Sequence, residues 1–184
     1  MNKHSQRGLT LIELIVTVTI VAILAAVATP SLREMIENNR LTALNNQLVS
    51  SLNYVRAEAV KRNYPVTMCV RNADGSACET TGGFENGWLV FVDCDADNVI
   101  DNAGCNYGPG NTDAAEEILL DNQPDMTNIV IGSNFTPKQA VRYKPNGSAH
   151  DNGTLTIQVD SVDRYNVIVS PGTGRIRSCK AADC

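Results

Sequence analysis

The stretch Arg7-Gly8-Leu9-Thr10-Leu11-Ile12-Glu13-Leu14, with the apolar run behind it, decides how this chain is read. From Leu9 to Thr29 every residue is apolar or Thr except Glu13. As an α-helix rising ~1.5 Å per residue, that run spans roughly 31 Å, enough to cross a hydrocarbon core of ~30 Å. A lone carboxylate in such a span is costly in lipid and so reads as functional. The segment ahead of it, Met1 to Gly8, is short and basic, with Lys3, His4 and Arg7. Positive charge there holds the N-terminus in the cytoplasm and sends the rest outward. A secretory signal would have a shorter apolar core followed by small residues at a cleavage site. Ala25-Ala26-Val27-Ala28 offers the small residues, but the run is too long and amphipathic helix follows it without a break.

These residues resemble the processing motif of type IV pilins and type II secretion pseudopilins. The resemblance implies cleavage after Gly8 by the prepilin peptidase and N-methylation of Leu9. It also implies that Glu13 pairs with the new amino terminus of a neighbouring subunit and so sets the filament register. A buried carboxylate is tolerable when a cation meets it, so the physics agrees. The usual residue after the cut is Phe; here it is Leu.

The totals bound the rest. A chain of 184 residues accommodates one modest domain plus the anchor. A net charge of −5 argues against a generic nucleic-acid-coating protein. The charge is unevenly spread, however. From Asn72 to Thr136 there is no Lys or Arg, whereas Lys138, Arg142, Lys144, Arg164, Arg175, Arg177 and Lys180 crowd the C-terminal third. Such halves can present different faces to different partners. All six cysteines (Cys69, Cys78, Cys94, Cys105, Cys179, Cys184) lie beyond the span, where an oxidising periplasm favours disulfides. Six cysteines allow fifteen pairings. Proximity suggests Cys69–Cys78, Cys94–Cys105 and Cys179–Cys184. A zinc site is the rival, though no Cys-x-x-Cys is present and His4 and His150 are the only histidines.

Taken in order, the apolar span is followed by Pro30, and then Leu41, Leu44, Leu48, Leu52, Val55 and Ala59 recur at three- and four-residue steps. That is one apolar helix face, suited to packing on a domain, with Arg33, Glu37, Arg40, Asn45, Asn53 and Glu58 largely elsewhere on the wheel. Asn63 and the Tyr64-Pro65 step end the helix near Arg62. The pattern then turns to strands: Val66–Val70, Gly87–Val92 (with Trp88 as core), Glu117–Leu120, Asn128–Ile131, Ala140–Tyr143, Thr154–Val159, Tyr165–Ser170 and Arg175–Cys179. Many short strands behind one long helix define an α+β domain with antiparallel sheet. The segment from Asn102 to Ala115 reads as irregular loop.

Two local features bear on chemistry. Asp93, Asp95, Asp97 and Asp101 alternate as at the start of a calcium loop. The match is partial, with Asn98 where the sharp-turn Gly is expected and Gly104 where the closing Glu is expected. A solvated acidic loop tied by Cys94–Cys105 is the alternative. Nothing supports catalysis: His150 stands beside Asp151 in a loop with no nucleophile pattern, and no Gly-rich phosphate loop opens a helix. No cofactor is implied.

The order of these elements, the segment Gly87-Trp88-Leu89-Val90-Phe91-Val92-Asp93 and the closing Gly174-Arg175-Ile176-Arg177 resemble the pseudopilin H / FimT / FimU family of minor pilins. The resemblance covers nearly the whole chain. It implies a pilin-like fold: a leader at residues 1–8, a transmembrane and filament-core helix at 9–29, an amphipathic half at 30–63, and a disulfide-bonded β-rich head at 64–184. It implies other major and minor pilins as partners, inner-membrane insertion with a periplasmic head, and later residence in the cell-surface pilus. Some FimT-like members bind DNA in natural transformation through the Gly-Arg-x-Arg. Here that motif maps to Gly174, Arg175 and Arg177. On a strand the two arginines share a face, about 7 Å apart, which suits successive phosphates of double-stranded DNA, and Lys180 adds charge nearby. Contacts of that kind lack sequence preference and weaken with salt. The expectation is therefore a DNA-binding minor pilin. The alternatives are a purely structural minor pilin that primes assembly and a type II secretion pseudopilin.

Overall fold

The computed structural model describes residues 10–101, 105, 116–136, 139–170 and 172–184. The leader, Gly8, Leu9, Gly104, Lys138 and the expected loop between 102 and 115 (Cys105 apart) lie outside the described residues. The chain divides into two compact units, Met1–Thr42 and Ala43–Cys184. One helix, α1 (Leu11–Arg62), runs through both.

In the first unit the apolar residues of α1 from Leu11 to Ile36 with a described side chain are exposed, Leu11, Ile15 and Leu24 among them, while Leu41 is buried. This helix is long and apolar enough to cross a membrane. Its threonines are accommodated by turning their hydroxyls back onto the helix. Thr17 Oγ1 donates to Leu14 O, Thr19 Oγ1 to Ile15 O and Thr29 Oγ1 to Ala25 O, at 2.7–2.9 Å. A hydroxyl bonded in this way carries no unsatisfied donor into an apolar surrounding. Thr10 caps the start, its Oγ1 accepting from the Glu13 N–H at 3.3 Å.

In the second unit, Leu44, Leu48, Leu52, Val55 and Ala59 of α1 form the expected buried stripe. Burial of each of the larger members contributes about 1.5–3 kcal/mol. Two residues expected on the polar side are also buried, Asn45 and Glu58. Each is buried because it has a partner. Asn45 Oδ1 accepts from Ser178 Oγ at 2.7 Å, and Glu58 accepts from Lys61 Nζ at 3.0 Å and Arg62 Nε at 2.7 Å. The Arg62 hydrogen bond, with help from Lys61, holds the Glu58 carboxyl below its usual range. The helix stops at Arg62 because Asn63 takes a left-handed φ of 59° and Pro65 follows.

Among the described residues, eight antiparallel strands form two four-stranded sheets. The first has the order β3-β2-β1-β5, from β1 (Val66–Val70), β2 (Trp88–Val92), β3 (Ile118–Asn122) and β5 (Ala140–Tyr143). The second has the order β4-β6-β7-β8, from β4 (Ile129–Ser133), β6 (Gly153–Val159), β7 (Val162–Val169) and β8 (Ile176–Lys180). β1 and β2 are buried on both faces. Trp88 faces the helix, its Nε1 donating to Ser51 Oγ at 2.9 Å. On the opposite face Cys69, Leu89, Phe91 and Ala140 make a second apolar cluster covered by Cys78 and Ile100. β6 alternates buried and half-buried residues along its length, as expected of a strand with one solvated face.

Disulfides join Cys69 to Cys78, Cys94 to Cys105 and Cys179 to Cys184, and no cysteine is free. Every thiol is thus consumed, which removes the zinc reading.

Candidate nucleic-acid interface

The Arg-x-Arg segment begins at the hairpin between β7 and β8. Gly174 N–H donates to Ser170 O at 3.1 Å, and Ser170 N–H donates to Arg175 O at 2.9 Å, closing the turn. Gly174 has φ +62°, and a Cβ there would stand 2.5 Å from Gly147 O and 2.9 Å from Ala149 N. Both are backbone atoms, so only glycine fits. Its carbonyl accepts from Tyr143 Oη at 3.1 Å, and burial raises the Tyr143 phenol well above its ordinary value. The first glycine of the motif is therefore a packing requirement that fixes where Arg175 emerges.

β8 is an edge strand. Arg175 and Arg177 are exposed and Ile176 between them is half-buried, as alternation predicts, although β8 itself starts at Ile176. Registry decides the faces. Ile176, Ser178 and Lys180 lie opposite Val169, Val167 and Tyr165, the side on which Ser178 reaches the helix. Arg177 lies opposite Ile168 and shares the outer face with Cys179, which lies opposite Asn166. Lys180 therefore does not join the two arginines; the pleat turns it to the other face. The outer face instead continues through Asn166 and Ile168 of β7 onto Thr154, Thr156 and Gln158 of β6, where Asp163 lies opposite Gln158 and accepts from its Nε2 at 2.6 Å. The Cys179–Cys184 disulfide anchors the chain end beside it.

Part of the acidic middle of the chain is paired internally. Arg71 grips Asp121 with Nε at 2.6 Å and Nη2 at 3.2 Å. Arg62 Nη1 meets Glu117 at 2.7 Å. Asp93, fully buried, accepts from Thr67 Oγ1 at 2.6 Å and faces Arg142 Nη1 at 3.7 Å. Burial nevertheless raises the Asp93 carboxyl. Arg142, expected to contribute to a basic surface, is thus committed to Asp93 and to the carbonyl of Ala96. Buried Glu116 accepts from the N–H of Cys94 at 2.6 Å and of Asp101 at 3.2 Å, and burial pushes its carboxyl up to about 7.

The oxygens of Asp93, Asp95 and Asp97 lie within 4.8 Å of one another. Each also accepts a backbone N–H of the loop. Asp95 accepts from the Asp97 N–H at 3.3 Å, Asp97 from the Val99 N–H at 2.7 Å, and Asp93 from the Asn98 N–H at 3.4 Å. These side chains cap a tight loop in which Ala96 and Asn98 have positive φ. The Arg142 guanidinium lies 3.7 Å from Asp93, and Asp101, the fourth residue of the expected calcium pattern, is not in this group of three. His150 Nδ1 lies 2.7 Å from Asp151 at the surface, with no nucleophile assembled beside it among the described residues.

Two elements carrying cations that the sequence pattern does not connect with the motif come to the Gly174 end of the hairpin. Arg56 Nη2 of α1 donates to Thr173 O at 3.1 Å. Lys144 begins the turn that abuts Gly174, its carbonyl accepting from the Gly147 N–H at 2.8 Å. Only the tertiary contact between Gly147 and Gly174 reveals this; no local spacing does.

A helix that is apolar for its first part and amphipathic for its second, leading into an antiparallel head, is a pilin-like architecture. The family described as type II transport protein GspH matches residues 44–173, and the prokaryotic N-terminal methylation motif matches residues 3–29. The chain belongs to the GspH family and is a type IV minor pilin or pseudopilin. It is similar to a type IV major alpha-pilin of Moraxella bovis, 26% identical over 149 residues that cover 77% of this chain and 92% of that protein. Its fold resembles that of the type IV minor pilin FimU of Pseudomonas aeruginosa. Two crystal forms give TM-scores of 0.52 and 0.50 at 14% and 12% identity, covering 79% and 77% of this chain and 92% and 94% of those chains.

Proposed function

We propose that this chain is a minor pilin of a type IV pilus that binds double-stranded DNA without sequence preference during uptake in natural transformation. The observation that carries the reading is the pair Arg175 and Arg177. They are exposed on an edge strand, placed by an obligatory glycine, and without a carboxylate partner among the described residues. On a chain of net charge −5, exposed guanidiniums that no carboxylate answers are suited to an external polyanion.

The rest of the life cycle follows the family. The prepilin peptidase cleaves after Gly8, and Leu9 becomes the methylated amino terminus. The helix from 9 to 29 crosses the inner membrane once, with the head in the periplasm, and later enters the filament core. There Glu13 meets the amino terminus of a neighbouring major or minor pilin, a pairing that offsets the cost of a carboxylate among apolar side chains.

The match to a family described by type II transport keeps a secretion pseudopilin as the second reading, in which the arginine pair has no nucleic-acid partner. A chromosomal Arg175→Ala, Arg177→Ala strain separates the two. The DNA reading predicts pili in normal number and transformation reduced at least about tenfold, in line with losing two charged contacts. Unchanged transformation in the double mutant would refute it.

A further inference from the structure

The described cations of the head fall into two sets. Lys61, Arg62, Arg71 and Arg142 each sit within salt-bridge distance of a carboxylate, and Arg164 is engaged as well. Arg56, Lys144, Arg175, Arg177 and Lys180 make no ion pair among the described residues. Lys180 stands alone at the far end of β8, opposite Tyr165. The other four belong to three elements that meet around Gly174. Arg56 comes from α1, Lys144 from the turn after β5, and Arg175 and Arg177 from the β7–β8 hairpin and β8.

The meeting is tight. Arg56 Nη2 bonds the Thr173 carbonyl, one residue before Gly174. The Arg56 side chain also packs on the Lys144 turn, since a Cβ on Gly147 would lie 3.4 Å from Arg56 Nε. Gly147 O in turn abuts Gly174. Lys144 is exposed and Arg56 half-buried, with one N–H spent on Thr173 and others available. Gathering four cations without a carboxylate disfavours the folded head through like-charge repulsion. A chain with 20 acidic residues has ample means to neutralise them.

We infer that the DNA-binding surface is this four-cation corner, Arg56, Lys144, Arg175 and Arg177, and not the arginine strand alone. The inference rests on the DNA-binding reading above and deepens it. Arg175 and Arg177 track successive phosphates along one strand. Lys144 extends the contact past Gly174, and Arg56, which comes from the helix side of β8, closes the corner at the hairpin end and positions the hairpin through Thr173. The two elements outside the hairpin thus supply half of the charge.

Salt dependence counts the contacts. The affinity of duplex DNA falls with salt with a log–log slope of about −0.9 per phosphate neutralised. Four contacts give about −3.6, and the arginine pair alone about −1.8. The experiment is a titration of the full-length chain, in non-ionic detergent, with a random-sequence duplex across a series of salt concentrations. The expected slope is near −3.6 for the wild type. Lys144→Ala and Arg56→Gln each shrink it by about 0.9, while Arg56→Lys keeps the charge and the slope. Lys144 offers no side-chain hydrogen bond to lose, so its variant remains informative if Arg56→Gln loosens the hairpin. A wild-type slope near −1.8, unmoved by Lys144→Ala yet abolished by Arg175→Ala, Arg177→Ala, would overturn the corner and leave the DNA reading standing. Absence of binding by the wild type would overturn both.

Discussion

Gly174→Ala and Gly172→Ala make a paired test of how the arginine strand is placed. Both glycines have positive φ, +62° and +70°, so alanine pays about 1–2 kcal/mol at either site for the left-handed conformation. Their surroundings differ. At Gly172 a Cβ meets nothing within 4 Å. At Gly174 it meets Gly147 O at 2.5 Å, the Tyr143 ring at 2.8 Å and Ala149 N at 2.9 Å. Neither backbone atom can yield without moving the Lys144 turn, and forced overpacking of that kind costs about 1–3 kcal/mol more. Gly174→Ala should therefore be the more destabilising by that amount. At about 2–4 °C per kcal/mol for a chain of this size, its thermal midpoint should lie roughly 2–12 °C below that of Gly172→Ala. The assay is thermal unfolding of both variants under identical oxidising conditions. Midpoints within about 1 °C of each other would refute the argument that close approach, and not φ alone, demands glycine at this position.

Three further outcomes follow from the packing. Ser51→Ala strands the buried Trp88 indole N–H and should cost about 1–3 kcal/mol, read by chemical denaturation with the fluorescence of the sole tryptophan. Replacing Cys179 and Cys184 by Ser opens a loop with a sequence separation of 5 and should cost about 2 kcal/mol. The Cys69, Cys78 pair closes a longer loop and Cys69 is core, so its loss should cost roughly 3 kcal/mol or more by the same denaturation assay. Glu116 titrates at about 7 in the fold against an ordinary 4.5. The folded state then holds the extra proton between those values, so its contribution is greatest below the lower one and declines as pH rises to the upper. Glu116→Gln should flatten that decline, raising the thermal midpoint at pH above 7 and changing it little near pH 4.5; an undiminished pH slope in the variant would count against it.

Much of the fold is legible because its determinants are local. The stripe from Leu44 to Ala59, the Asn63 and Pro65 stop, and the alternation in β6 each declare an element within a few residues. Short Cys–Cys separations made the nearest pairing the natural one. The start of β7 is less legible. It begins at Val162, three residues before the expected Tyr165, because Asp160 and Ser161 both adopt positive φ in a two-residue hairpin. Asp-Ser lacks the glycine that usually signals such a turn. The division into two sheets was also hidden, since strand order depends on contacts far apart in sequence. The same limit governs the interface. Alternation alone separates Arg175 and Arg177 from Ile176, but which face Lys180 takes follows from its registry with Tyr165. That Arg142 is spent on Asp93, and that Arg56 reaches Thr173 across 117 residues, are tertiary facts with no sequence signature.

The most direct test of the central claim is equilibrium binding of the oxidised, full-length chain to random-sequence duplex DNA at low and moderate salt, beside Arg175→Ala, Arg177→Ala. The account predicts binding that weakens steeply with salt and is lost in the double variant while its thermal midpoint is unchanged. Binding by the double variant equal to that of the wild type, or none by the folded wild type, would contradict it.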